Sequence, residues 1–198
     1  MVINMYEIAL HHLVVGLVTG TSTLACISSI IAWVSTYFSS GDNIRNYFDK
    51  AAYVSAIAAI PLMPIAVISG TLSMGDPGGD AMSYNKFLFT GLTTGLLLSL
   101  IVGRWRFGPN IWLDKRLGML QGLCAIGTLI CVTILGSIGG KMSLGKSTMD
   151  LIPFWPQFNQ SIVLNQWFSL TMFLIGIFAM IIAFRLGPEI NEVSESDY

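Results

Sequence analysis

Two adjacent imidazoles open the longest apolar run of this sequence. His11 and His12 stand in Glu7-Ile-Ala-Leu-His11-His12-Leu-Val-Val-Gly16-Leu-Val-Thr-Gly20, and they are the only histidines in the chain. Imidazole ligates haem iron and copper and exchanges protons near neutral pH. If the chain handles an electron, a proton or a cofactor within a bilayer, the machinery starts here. On a helix the side chains of neighbouring residues diverge by about 100°, so these two cannot be the opposite axial ligands of one haem. A second ligand would come from Met74, Met82 or Met142, or from Asp76 or Glu7 for a hard metal. The same arithmetic puts His12, Gly16, Gly20 and Thr23 on one face, which predicts that His12 points into the bundle and His11 projects beside it. The plainer alternative makes both histidines interfacial donors to backbone carbonyls, lipid headgroups or a neighbouring subunit, because they fall at the edge of a span.

Other catalytic signatures are missing from the sequence. It shows no nucleophile paired with a base, no phosphate-cradling loop and no paired-histidine metal spacing of the HExxH type. The predicted spans lack the charged side chains of a transport path or proton relay. Cys26, Cys124 and Cys131 all fall in apolar stretches, where they act as small hydrophobes, and no disulfide framework is implied. These observations predict a chain that is not an enzyme and has no metal centre built from side-chain clusters.

The elements that must position the histidines follow from composition. Hydrophobic residues make up 54% of 198 positions and charged residues 11%, under half of the roughly 25% of a soluble domain. Mean hydropathy is +0.70. This predicts an all-α integral membrane bundle of five transmembrane helices, near 9–38, 51–74, 87–103, 117–140 and 161–185, each long enough for a hydrocarbon layer of about 30 Å. The bundle forms one domain, 1–186, followed by a short acidic polar tail, 187–198. The first segment lacks a basic leader region and its apolar run is too long for a signal peptide, so it is expected to remain as a helix. Pro61 and Pro64 predict a kink in the second helix. Trp105, Trp112 and the basic residues around them read as headgroup anchors, and 153–158 reads as a surface piece.

Glycines four apart, at Gly16/Gly20, Gly91/Gly95, Gly118/Gly122 and Gly136/Gly140, read as packing seams where helix backbones approach closely. A net charge of −1 argues against nucleic acid as a partner. The expected partners are the lipid bilayer and other membrane protein subunits. Of the ten Lys and Arg residues, seven fall in the first and third loops and the C-terminal tail, and three on the other side. The positive-inside tendency then places the N-terminus outside and the C-terminus in the cytoplasm.

The stretches His11-His12-Leu-Val-Val-Gly16 and Leu135-Gly-Ser-Ile-Gly-Gly-Lys-Met142 resemble those of an uncharacterised family of small prokaryotic four-helix membrane proteins. In that family the first helix opens with histidine and the fourth ends in a Gly-Gly-rich turn. The resemblance covers roughly residues 8–145 and implies a four-helix bundle, with b-type haem in some members. Members often carry a histidine at the start of the third helix, where this sequence has Asn85-Lys86, and a fifth helix would be an addition. Three functions remain open from the sequence. They are a non-catalytic subunit that scaffolds a larger energy-converting membrane complex, a small electron carrier binding haem, pigment or copper through His11 and His12, and a stand-alone small transporter.

Overall fold

In the computed structural model, residues 5–38, 42–74 and 81–155 are described. They form four long helices, α1 (Met5–Ser35), α2 (Asp42–Met74), α3 (Ala81–Phe107) and α4 (Lys115–Leu144), with short 3-10 turns at Pro109–Trp112 and Thr148–Leu151. All four are long and apolar enough to cross a membrane, which fits a multi-pass membrane protein. The fifth helix expected at 161–185 and the tail at 187–198 lie outside the described residues, as does the turn at 75–80 with Asp76.

The second, third and fourth helices are longer than expected, while the first starts at Met5 and stops at Ser35, short of 38, and the extra turns matter. The second helix begins at Asp42 rather than near 51, so Arg45 and Asp49 are helical residues instead of parts of a loop. The third begins at Ala81 rather than near 87, which brings Lys86 into the helix. Polar flanking residues continue the helix because the backbone hydrogen-bond ladder need not stop where hydropathy falls.

The helices pair in a ring, α1 with α2, α2 with α3, α3 with α4 and α4 with α1. The seam between α1 and α2 is made of small residues other than glycine. Ala25 on α1 clusters with Ala56 and Ala59 on α2, and Ser29 lies beside Ala52 and Ala56, while Cys26 turns toward Thr128 on α4. Small side chains let the backbones approach and gain dispersion contacts that lipid would otherwise match. Leu10, Leu13, Leu17, Leu24 and Ile27 cover the outward side of α1, as a lipid-facing surface requires.

Of the glycine pairs, only Gly118/Gly122 packs at both positions within the described bundle. At Gly122 the ring of Trp33 fills the space a Cβ would take, and at Gly118 the carbonyl oxygen of Trp112 would be 2.9 Å from one. Gly16, Gly20, Gly91, Gly95 and Gly136 have no neighbour within 4 Å of that position among the described residues. The α4 N-terminus is closed by Asp114, whose carboxylate accepts from the backbone N–H groups of Arg116 and Leu117 at 2.8 and 2.9 Å. Those two bonds favour the charged form and hold its pKa below the ordinary aspartate value. After α4 the chain turns back on itself. Ser147 caps the second 3-10 turn, Asp150 pairs with Lys141 at 3.3 Å, and the Trp155 indole donates to Ser137 at 3.0 Å.

Candidate functional site: a chamber at one end of the bundle

The buried face of α1 runs through Val14, Val18, Ser22, Ala25 and Ser29. Stepping back three or four residues along that line leads to His11, not His12. His11 is therefore the more buried of the two imidazoles, while His12 lies on the exposed glycine face and still lines the chamber described below. His11 Nδ1 lies 3.1 Å from Ser69 Oγ on α2. The Ser69 hydroxyl also lies 3.2 Å from the carbonyl of Ala66, and which partner donates in the His11–Ser69 contact follows the imidazole tautomer. The pair bridges two helices.

Both imidazoles nevertheless face one chamber. Its volume is about 530 Å³, and all four helices contribute walls. His11, His12 and Lys86 are its basic side chains, joined by hydroxyls such as Thr71, Ser83 and Ser143. Val15, Val18, Met63, Ala66 and Leu135 supply apolar wall. Gly136 and Gly139 widen it from the α4 side, where nothing lies within 4 Å of either Cβ position. Pro61 and Pro64 flank Met63, so α2 lacks two backbone donors alongside the chamber.

The structure brings together His11 and His12 but does not surround them with the other expected ligands. Met82, Met142 and Glu7 lie off the chamber walls, Asp76 is outside the described residues, and nothing is described of the Met74 side chain. Among the described residues no group of three His, Cys, Asp or Glu side chains could hold a metal ion. His11 is held by Ser69, and the wall thioether, Met63, is packed in the core at 2% exposure. His12 is left as the one disengaged soft donor, so the described walls do not fit a haem held by two axial side chains. Lys86, expected in the second loop, is instead a residue of α3 that lines the chamber. Its signal was the helix start: a third helix beginning at Ala81 turns Lys86 from a loop cation into a wall residue.

The opposite end is closed by a buried ion pair. Asp49 is 2% exposed and accepts from Arg104 Nε on both oxygens, at 2.8 and 2.7 Å, and from Trp112 Nε1 at 2.7 Å. The Arg104 guanidinium also stands 5.5 Å from the centre of the Tyr53 ring. Arg104 and Trp112 were expected to be outward anchors, and the structure turns both inward. Trp105, 74% exposed, keeps the outward position. The cause is again the longer second helix, which places a carboxylate where a loop was expected.

Comparison of the chain with family models, curated proteins and solved structures gives no match.

Proposed function

We propose that the chain is a non-catalytic multi-pass membrane subunit that holds a small apolar or amphipathic molecule in the chamber between α1, α2, α3 and α4. The observation that supports this is the chamber itself. Its volume of about 530 Å³ lies within the roughly 300–1,000 Å³ typical of ligand sites, and its walls combine apolar surface with a few convergent polar groups. Binding is favoured over turnover because Ser69, the serine in contact with His11, is not among the residues that line the chamber. The test is native mass spectrometry of the purified chain in nanodiscs, beside Gly136→Leu, which fills the chamber from a position with open space. A bound mass that the variant loses is the expected result. Identical spectra with no bound mass in either protein would sink the reading.

The exposed glycines favour a second element of this role, association with a larger energy-converting membrane complex. Gly16 and Gly20 on α1 and Gly91 and Gly95 on α3 form faces onto which another helix could pack closely. Gly16→Leu and Gly91→Leu are expected to release the chain from its complex on native electrophoresis while leaving the isolated bundle folded. An unchanged migration pattern would argue for a chain that acts alone. In this role the ends bearing Met5 and Leu144 face outside. Arg45, Lys50, Arg104, Arg106, Lys115 and Arg116 lie at the opposite end, against Lys86, Lys141 and Lys146 at this one.

A further inference from the structure

The chamber is polarised along the helix axes. His11 is six residues inside the start of α1, Lys86 five inside the start of α3, and Thr71 three from the end of α2. At about 1.5 Å per residue these groups lie roughly 5–9 Å from the helix ends. Val18 and Met63 lie deeper, 13 and 11 residues from the corresponding ends. The basic groups thus sit near the helix ends, above walls that are mostly apolar and carry the hydroxyls of Thr19 and Thr90, in the depth order of a molecule entering head outward from an interface.

The rim also has a sign. The described walls carry a lysine and two imidazoles and no carboxylate. Lys86 forms no ion pair with any described residue, whereas Lys141, near the same end, is matched by Asp150 at 3.3 Å. A cation facing a low-dielectric chamber without a counter-charge is costly, and an anion brought by a ligand offsets that cost. The imidazole N–H groups add donors suited to carboxylate or phosphate oxygens.

We propose that the occupant of the chamber is an anionic amphiphile, with a carboxylate or phosphate head met by Lys86 and His12 and a single apolar chain or ring against Val18, Met63 and Leu135. This rests on the ligand-holding role proposed above. The test uses three probes with one tail, laurate, dodecyl phosphate and dodecanol, added to the full chain in phosphatidylcholine nanodiscs. Laurate or dodecyl phosphate is expected to bind saturably, and dodecanol about tenfold more weakly. Lys86→Met is expected to remove most of that tenfold preference without weakening dodecanol, and Lys86→Arg to restore it. Replacing part of the phosphatidylcholine with phosphatidylglycerol separates the sources: competition with laurate identifies a lipid headgroup, and unchanged binding identifies a free amphiphile. Equal binding of dodecanol and laurate, indifferent to Lys86→Met, overturns the anionic assignment while leaving the chamber as a ligand site. Failure of all three probes, with Gly136→Leu no different from the native chain, overturns both.

Discussion

The imidazole of His11 lies against Gly70, with Cε1 3.0 Å from the point where a Cβ on that residue would sit. Nδ1 and Nε2 follow at 3.5 and 3.6 Å, so the ring as a whole occupies the space that glycine leaves. Its neighbour Ser69 shares a hydrogen bond with the ring, and the two adjacent residues of α2 thereby fix one histidine of α1. A methyl group at 70 must push the ring and strain the Ser69 bond. Gly70→Ala is expected to lower stability by about 1–3 kcal/mol, the usual cost of overpacking. In thermal melts of detergent-solubilised protein, the loss should shrink on a His11→Ala background, because the ring is then gone. Simple additivity of the two changes would show that they do not share this contact.

Asp49 is the second point where one side chain joins several elements. It ties α2 to α3 through Arg104 and to the Pro109–Trp112 turn through Trp112. Removing one member of a buried pair leaves an uncompensated charge, which typically costs about 3–5 kcal/mol. Asp49→Ala is expected near the lower end of that range, since the Arg104 side chain is 20% exposed and can turn toward water. Asp49→Leu combined with Arg104→Met should recover part of the loss in the same melts. A double variant as unstable as the sum of its parts would deny the pairing its role.

The helical class and four of the spans were legible because hydropathy over some twenty residues is a strong signal. The inner face of α1 was not. Glycine four apart is the pattern that reads as a seam, yet the buried face of α1 is built from Ser22, Ala25, Ser29 and Ala32, spaced at the same helical interval. Serine is small enough to pack like an apolar residue: Ser35 donates its hydroxyl to the Ala32 carbonyl at 2.8 Å, while the buried hydroxyls of Ser22 and Ser28 have no hydrogen-bond partner among the described residues. The glycine face points to His12 as the inner imidazole, whereas the structure seats His11 against α2 and places both on the chamber wall. The histidines themselves were found, but Lys86 and Asp49 were missed because both sit in helix ends whose polar composition reads as loop. Trp112 could not have been placed without its partner, since an indole beside arginines looks the same whether it faces headgroups or a buried carboxylate.

Acid should weaken the start of α4. The folded-state pKa of Asp114 is lowered by the Leu117 and Arg116 backbone donors, so the charged form is bound more tightly in the folded chain. A depressed carboxylate contributes stability that is present above its unfolded pKa and is lost as pH falls through the folded one. Little change from this group is expected between pH 5 and pH 8, with loss setting in below about pH 4. Asp114→Asn keeps a capping oxygen without the charge, so it should flatten that acid limb in pH-dependent melts. An acid limb of the same depth in the variant would assign it to other carboxylates.

Orientation can be read from two exposed positions at opposite ends of one helix. Lys115 opens α4 and Lys146 follows its last turn, and both are solvent-exposed. The native cysteines are poor competitors for a membrane-impermeant thiol reagent, because Cys26 and Cys131 are buried and all three lie within spans. Ser147, beside Lys146, would be a poor reporter, since its hydroxyl is tied to Ser137 at 3.0 Å and caps the turn that follows. With six basic residues at the Lys115 end of the described bundle and three at the Lys146 end, intact cells should label Lys146→Cys and leave Lys115→Cys unreacted until the membrane is opened. The chamber would then open toward the outside, and amphiphiles would enter from the outer leaflet. Labelling of Lys115→Cys alone in intact cells would invert the chain and put the chamber's basic rim at the cytoplasmic surface.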